Sequence, residues 1–276
     1  MATASFHNSF VRKNIALDQQ EVQSASNTVD PALFAFDARL GLKLSPAMLE
    51  KAVTHKSLVE ENHNAALEYV GKRAIGLFTV EYLHSKYPAM HATAFDGAVA
   101  SFLSNRAMSN LAGQLGLQHV IRRSTDESTS RVLAECLNAI AGALYHEQGP
   151  EAVKKFVHAH IVSRDLDMRP LVKVAEPKRH LTMLLSKLGK KAAVSRTLSE
   201  TGRQSNAPVF VVGVFSGEEK LGEGFGSSLK MAEYRACQDA LFQHYGKEEK
   251  DFMLPSDADK VASYQPPKLG DTQAIV

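Results

Sequence analysis

The chain has 276 residues, of which 44% are hydrophobic and 22% charged, and its formal net charge is +2. This composition is typical of a soluble globular protein with room for two domains of ordinary size. No apolar run approaches the roughly 20 residues that a membrane-spanning helix needs, so we expect no membrane span. Such a small net charge excludes an argument for nucleic-acid binding from total charge alone, and that argument must rest on where the charges lie.

Cysteine and histidine residues do not form a recognisable metal-binding pattern. Cys136 and Cys237 lie singly inside helical patterns and give neither a disulfide framework nor a metal site. The eleven histidines are scattered, and the nearest pair, His158 and His160, would point to different faces of a helix. We therefore expect no bound metal and no other cofactor.

The chain begins with a polar segment, residues 1–30, that we expect to be flexible. Met1–Leu17 contains serines, one arginine and one lysine but no acidic residue, which faintly resembles a mitochondrial transit peptide. An ordinary flexible terminus explains the same composition equally well.

Residues 31–164 predict an all-α domain, because apolar residues recur there at helical spacing. Ser45 and Pro46 are typical of a helix start, and Gly149 followed by Pro150 is typical of a break between two helices. Helices are predicted over residues 45–54, 64–83, 94–115, 131–148 and 151–161.

The predicted helix over residues 64–83 carries the first chemical pattern. Its expected buried stripe consists of Leu67, Val70, Ala74, Leu77, Phe78 and Glu81. A second row of Ala65, Glu68 and Lys72 projects from one face of the helix, because residues three, four and seven positions apart lie on the same side. Glu68 and Lys72 have the spacing and order that favour an ion pair.

The run Asn64-Ala-Ala-Leu-Glu-Tyr-Val-Gly71 resembles the signature motif of the ribonuclease III family. Ala52–Ser57, which reads Ala-Val-Thr-His-Lys-Ser, is similar to a second motif of that family. The resemblance implies an all-α nuclease fold with Mg²⁺ held by carboxylates. The sequence departs from the family at two positions of the catalytic motif, since Ala65 and Lys72 stand where the family has acidic residues.

A later segment, Ala134–Tyr145, is similar to the helix that supplies the family's other catalytic pair. Glu135 replaces an aspartate there, and Asn138 replaces a glutamate. The aligned positions Glu68, Lys72, Glu135 and Asn138 together carry a formal charge of −1, where four carboxylates would carry −4. Hydrolysis of a phosphodiester by two Mg²⁺ ions needs several anionic oxygen ligands. We therefore predict that this domain is not an active enzyme and holds no metal.

Pro170 and Pro177 break the helical pattern, so residues 165–176 are predicted to be a linker and residues 177–246 a second domain. Its elements are expected in the order α-β-β-β-α, over residues 178–188, 193–198, 208–215, 220–224 and 228–245. With the motifs Gly222–Gly226 and Lys230–Glu233, this order resembles a double-stranded-RNA-binding domain. The expected fold class is an all-α ribonuclease III-like domain followed by an α+β domain of that type.

The resemblance implies RNA contacts from the first helix, from the loop between the first two strands and from the start of the last helix. The corresponding residues are Lys178, Arg179 and Lys187; Arg203, Gln204 and Asn206; and Ser227, Ser228 and Lys230.

Positive charge is concentrated in this region, because residues 171–246 hold eleven Lys and Arg against seven Asp and Glu, a net charge of +4. Leu229 and Asn206, however, stand at or near positions where the family has a lysine and a histidine. Each lost phosphate contact weakens binding. We expect weak affinity for generic RNA and a fixed RNA site with added protein contacts; a domain that binds only protein remains an alternative.

Residues 247–276 have no core pattern, so we expect a tail that is disordered alone or ordered against a partner.

The combination of a degenerate nuclease domain and a weakened RNA-binding domain resembles the ribonuclease III-like family of the mitochondrial large ribosomal subunit. That resemblance implies a mitochondrial, structural role on ribosomal RNA among large-subunit proteins, with pairing to a second ribonuclease III-like subunit. Two alternatives stay open: an RNA-binding or RNA-processing factor outside the ribosome, and an active Mg²⁺-dependent endonuclease.

Overall fold

The computed structural model describes residues 30–58, 62–90, 92–164, 167–171, 174–203, 205–260 and 262–267. The flexibility predicted for residues 1–29, the RNA contact predicted for Gln204 and the last part of the predicted tail, residues 268–276, lie outside these ranges.

The first part of the described chain is helical. Its helices are α1 Pro31–Leu40, α2 Pro46–Val53, α3 Ala65–Lys86, α4 Ala92–Leu103, α5 Asn105–Gln114, α6 Thr129–Gln148 and α7 Pro150–His160, with a 3₁₀ turn at Leu117–His119. The second part consists of α8 Pro177–Lys187, β1 Ala193–Thr201, β2 Val209–Ser216, β3 Glu219–Gly226 and α9 Leu229–Tyr245, followed by a 3₁₀ helix at Pro255–Lys260. The predicted fold class is confirmed. Among the described helices, none combines the length and apolar character that crossing a membrane requires.

Local sequence explains where several helices begin. The Ser45 hydroxyl accepts a hydrogen bond from the Met48 N–H at 3.3 Å, with Pro46 in the first turn of α2, as the sequence predicts. At the start of α9, the Ser228 hydroxyl accepts in the same way from the Met231 N–H at 3.2 Å.

The single helix predicted over residues 94–115 is wrong. The structure has two helices, α4 and α5, separated at Ser104. The Ser104 N–H still donates to the Ala100 carbonyl, but its hydroxyl accepts from the Ala107 N–H at 3.4 Å and so starts a new helix. A short polar side chain that competes for backbone hydrogen bonds is sufficient for such a break.

The buried stripe predicted for α3 is partly wrong. Leu67, Ala74 and Phe78 are buried, whereas Val70 and Leu77 are 40% and 64% exposed. The apolar pattern alone did not reveal that the buried face of α3 is centred on a glycine, where the helix touches another backbone.

By its internal contacts the chain divides into two compact units. The first comprises the described residues up to Lys72 together with Ser109–Val153, and the second comprises Arg73–Met108 together with the described residues from Lys154 onward. In the first unit, helix α6 is buried almost continuously from Val132 to Leu144 and forms the centre of the core. These units do not test the domain boundaries predicted from the sequence, which stay a prediction.

The second unit contains the antiparallel sheet, with strand order β1-β2-β3. Helix α9 packs on β3 at very short range, because a Cβ atom on Gly222 would lie 2.5 Å from the Ala240 nitrogen and one on Gly224 would lie 2.3 Å from the Ala236 nitrogen. Glycines on the strand and alanines on the helix therefore let the two backbones approach each other.

The tail predicted to be disordered differs from the structure over residues 248–257. The Tyr87 hydroxyl donates to Glu248 at 2.7 Å, the Phe252 ring meets the Tyr82 ring edge-on, and Leu254 is buried. Asp257 forms an ion pair with the buried ammonium of Lys154 at 2.6 Å. These contacts are isolated in sequence, so no periodic pattern announces them.

Candidate functional site

Two glycines bring the carboxylate-bearing helices α3 and α6 together. A Cβ atom on Gly71 would lie 1.8 Å from the Asn138 carbonyl oxygen, and one on Gly142 would lie 2.0 Å from the Leu67 carbonyl oxygen. Only glycine permits such an approach at either position. The contact holds Glu68, one turn before Gly71, close to the segment of α6 that bears Glu135.

Lys56 joins the two carboxylates. Its ammonium lies 3.0 Å from the Glu68 Oε2 atom and 2.9 Å from the Glu135 Oε2 atom. The Glu135 side chain is only 13% exposed and that of Lys56 is 37% exposed, so water screens these interactions incompletely.

Two further cationic or polar groups bind Glu135. Arg131 Nε donates to its Oε1 atom at 2.7 Å, and His55 Nε2 lies 2.9 Å from its Oε2 atom. The Ser57 N–H donates to His55 Nδ1 at 3.1 Å, which makes Nδ1 an acceptor and assigns the ring proton to Nε2. The imidazole of His55 is buried and therefore donates to Glu135 from a fixed orientation.

This cluster of Lys56, Glu68 and Glu135 with His55 and Arg131, here called the carboxylate cluster, sets the charge of Glu135. Burial alone would raise the pKa of Glu135, but hydrogen bonds from Lys56, His55 and Arg131 outweigh it and lower that pKa from 4.5 to about 2. Burial alone would lower the pKa of Lys56, but its hydrogen bonds to Glu135 and Glu68 outweigh burial and raise that pKa. Both groups are therefore fully charged at neutral pH.

The donor set does not fit the Mg²⁺ ions that the family resemblance implies. Both oxygens of Glu135 already accept hydrogen bonds from nitrogen donors, and one oxygen of Glu68 does so too. A divalent cation would have to displace the Lys56 ammonium from between the two carboxylates. Among the residues that the structure describes, no group of three or more His, Cys, Asp or Glu side chains is arranged to hold a metal ion.

The structure separates the aligned positions that the sequence placed together. Lys72 is exposed and, within the described ranges, has no ion-pair partner, so the predicted pair with Glu68 is wrong. Lys56 takes that role because the turn after α2 places its ammonium 3.0 Å from the Glu68 Oε2 atom. Ala65 contributes no functional group, and Asn138 is buried against α3 through its backbone carbonyl.

Sequence reasoning missed Lys56, His55 and Arg131. The first two lie in the Ala52–Ser57 motif, about 80 residues before Glu135, so no local spacing reveals their contact with it. Arg131 stands one turn before Glu135 on α6, at the spacing of a helical ion pair. That spacing was a usable signal.

The second candidate site lies where helices α8 and α9 begin. Lys178, Arg179 and Lys230, all predicted to contact RNA, line one groove of about 600 Å³ together with Glu233 and Tyr234. Glu233 holds the first of these lysines, since Lys178 Nζ lies 2.9 Å from its Oε1 atom. Hydrogen bonds from the Ser195 hydroxyl and from Lys178 lower the pKa of Glu233, which keeps it ionised.

The other predicted RNA contacts are more dispersed. Arg203 is exposed and forms a loose pair with Glu200 at 3.4 Å, and Asn206 is exposed in the same β1–β2 loop. Lys187 ends α8 and Ser227 precedes the capping residue Ser228 of α9. Their contacts with RNA stay a prediction.

Known proteins resemble both regions of the chain. Residues 45–165 match a family model described as ribonuclease-III-like, and residues 172–270 match one described as the MRPL44 dsRNA-binding domain. Ribonuclease 3 of Limosilactobacillus reuteri is 30% identical over 209 residues, which cover 71% of this chain and 89% of that protein. The chain belongs to the ribonuclease III family.

Among relatives in and around the ribonuclease III family, the large ribosomal subunit protein mL44 of Neurospora crassa is 46% identical over 121 residues. The match covers 44% of this chain and 28% of that protein, so the chain spans little more than a quarter of that relative's length. A solved ribonuclease III nuclease domain from Campylobacter jejuni is 26% identical and has a TM-score of 0.43, covering 46% of this chain and 94% of the other.

Proposed function

We propose that the chain is a structural, RNA-binding component of the mitochondrial large ribosomal subunit, and that its ribonuclease III region does not cleave RNA. The observation that carries this proposal is the Lys56 ammonium between Glu68 and Glu135, in a chain whose other region matches an RNA-binding domain model. The Neurospora relative, which is named a large ribosomal subunit protein, supports the ribosomal setting.

The carboxylate cluster favours a structural role over catalysis. Metal-assisted phosphodiester cleavage needs carboxylate oxygens free to bind cations and a net negative site. Here three nitrogen donors occupy Glu135, and the lysine that reaches both glutamates is itself the counter-ion. The cluster therefore connects the segment after α2 to α3 and α6.

The groove at α8 and α9 supports RNA binding by shape and charge. Free backbone N–H groups at the start of α9 attract phosphate, and Lys230 adds a positive charge beside them. Lys178 and Arg179 lie on the same groove, so one stretch of RNA backbone could meet all three cations. Exposed hydroxyls of Ser227 and Ser228 add donors that carry no base specificity.

The ribosomal assignment is tested by sedimentation of the native protein from lysed mitochondria. We expect comigration with the large ribosomal subunit that survives a wash in high salt. Loss from the particle at high salt, or slow sedimentation from the start, would support an RNA-binding factor outside the ribosome instead.

The assignment as a non-enzyme is tested separately with purified full-length chain, Mg²⁺ or Mn²⁺, and a labelled RNA duplex. A bacterial ribonuclease III serves as the positive control. We expect no metal-dependent cleavage. Cleavage that disappears in the double variant Glu68→Ala with Glu135→Ala would show that the active-endonuclease alternative is correct.

Pairing with a second ribonuclease III-like subunit is part of the same proposal. Helix α3 presents Tyr69, Val70 and Leu77 to solvent, and Tyr69 is 66% exposed. Large apolar side chains repeated along one helix face are typical of an interface. Light scattering of the purified chain, alone and mixed with the candidate subunit, would detect a complex, and Tyr69→Ala with Leu77→Ala should reduce it.

A further inference from the structure

The outer face of the sheet is apolar and lies opposite the face that α9 covers. The inner face carries the buried Val212 and Val214, together with the β3 glycines beneath α9. On the outer face, Phe225 is 66% exposed and pairs across strands with Val211. The other large apolar side chains of this outer face are Val194, Leu198, Val209 and Phe215.

Two arginines add positive charge to this face. The Arg196 guanidinium lies over the Phe215 ring at 5.0 Å, and the Arg235 guanidinium lies over the Phe225 ring at 5.4 Å. Arg235 also donates to the Phe225 carbonyl at 2.8 Å. Within the part of the chain that the structure describes, neither guanidinium has a carboxylate partner.

We propose that this outer sheet face, defined by Val194, Leu198, Val209, Phe225 and the two arginines Arg196 and Arg235, binds a protein segment whose apolar side chains are flanked by at least two carboxylates. Apolar area of this extent on a folded surface marks an interaction site. Glu223 also lies on this face, opposite Gly213, but its carboxylate pairs with Lys220. Charge complementarity therefore selects an acidic partner, because both guanidinium groups are exposed and have no ion-pair partner among the described residues.

RNA is a poorer occupant of this face. Base recognition on a sheet uses open aromatic rings as stacking platforms, whereas both phenylalanine rings here already lie beneath guanidinium groups. The aliphatic residues Val194, Leu198 and Val209 offer neither stacking nor phosphate contacts. The groove at α8 and α9 supplies the features for RNA that this face lacks.

A second copy of the chain is also disfavoured. A symmetric pairing through the same face would bring Arg196 and Arg235 of one copy towards those of the other, and Glu223, a carboxylate on this face, already forms an ion pair with Lys220. Like charges placed face to face in an interface disfavour the complex. The occupant is therefore a different protein.

The test uses the full-length chain with photoreactive p-benzoylphenylalanine in place of Phe225, expressed in cells that assemble mitochondrial large subunits. Irradiation is expected to link position 225 to another protein, at a peptide with apolar residues and at least two carboxylates. The same photoreactive group in place of Thr182, an exposed residue of α8, is the positional control and should not link to that peptide.

Charge reversal sharpens the result. Arg196→Glu with Arg235→Glu should lower the yield of the link from position 225 by about tenfold, because two attractive interactions become repulsive. The matched control, Lys155→Glu with Lys247→Glu, changes the net charge equally at exposed positions outside the three strands and should leave the yield unchanged. Thermal unfolding verifies that each variant stays folded.

A link from position 225 to RNA, a link within the same chain, or no link overturns the inference. So does a yield that charge reversal leaves intact. The experiment rests on the proposed function only because it uses cells that assemble mitochondrial large subunits. Sedimentation of the same sample tests that function independently. A chain that leaves the particle but still links to an acidic peptide would reject the ribosomal role and retain the sheet-face interaction.

Discussion

Lys56 and Lys230 lie in the two regions where this chain resembles RNA-handling folds, and their surroundings are opposite. Lys56 is held between Glu68 and Glu135 within 3.0 Å of each, whereas Lys230 is exposed and, within the described chain, has no carboxylate partner. Removing one partner of a partly buried ion pair destabilises the fold because the other charge is left unpaired, whereas an uncompensated exposed cation remains available to a ligand. In the nuclease-like region the charged groups of the carboxylate cluster thus compensate one another, whereas the other region retains an exposed cation that a ligand can bind.

The largest predicted effect on stability concerns the glycine contact beside the carboxylate cluster. Gly71→Ala should lower the free energy of unfolding by more than about 3 kcal/mol, because its new methyl group would overlap the Asn138 carbonyl. Gly76→Ala on the same helix is the matched control, since nothing lies within 4 Å of its Cβ position. There the higher helix propensity of alanine should stabilise the protein by about 0.5–1 kcal/mol. Urea unfolding followed by circular dichroism measures both, and similar values for the two variants would contradict the proposed close contact.

The next effect concerns the inward-facing charge of Glu135. Because its pKa is lowered from 4.5 to about 2 in the folded protein, its ionised form contributes stability at pH values above 4.5. That contribution is lost as the pH falls towards 2. Glu135→Gln should therefore lower the free energy of unfolding at pH 7 by on the order of 3 kcal/mol, with the difference shrinking below pH 4.5.

Asp126→Asn provides the control for Glu135→Gln, because Asp126 is exposed and has no bonded partner among the described residues. It should change stability by less than about 0.5 kcal/mol at any pH. A loss on Glu135→Gln that is equally large at pH 3 and pH 7 would show that the effect is one of packing rather than charge.

Much of this arrangement follows from sequence, and the exceptions share a cause. Element order, the Ser45 cap and the roles of Glu68 and Glu135 as the remaining carboxylates depend on local spacing, which a sequence displays directly. The pairing of Lys56 rather than Lys72 with Glu68 depends on where the turn after α2 meets α3, and the exposure of Val70 depends on Gly71 contacting α6. Such facts arise from tertiary packing, which no helical period encodes.

A smaller effect on stability is expected for the ion pair between Lys154 and Asp257. Lys154 is buried, and Asp257 is partly exposed; the hydrogen bond from Lys154 lowers the pKa of Asp257. Asp257→Asn should cost about 1–2 kcal/mol, because a buried ammonium loses its counter-ion. Asp259→Asn changes an exposed neighbour that has no hydrogen-bond or ion-pair partner among the described residues, and it should be nearly neutral. Equal melting temperatures for the two variants would show that the Lys154–Asp257 pair does not stabilise the folded protein.

The smallest effect tests the outward-facing charge. Lys230→Ala should weaken binding of a short RNA duplex about fivefold and reduce by about 1 the slope of log affinity against log salt concentration. Lys190→Ala is the control, because its ammonium already pairs with Glu219 at 2.7 Å. Fluorescence anisotropy at several salt concentrations gives both numbers, and an unchanged slope for Lys230→Ala would mean that this lysine does not contact phosphate.

The packed segment around Glu248–Asp257 also constrains the order in which the protein matures. The Ser256 N–H donates to Glu81, which lies 175 residues earlier in the chain. Tyr87 donates to Glu248, which lies 161 residues later. Since translation delivers the amino-terminal helices first, Lys154 is synthesised long before the carboxylate that compensates it. The helices that contact residues 248–257 therefore leave the translating ribosome before these contacts can form, and that part of their surface is covered only after residues 248–257 have been synthesised.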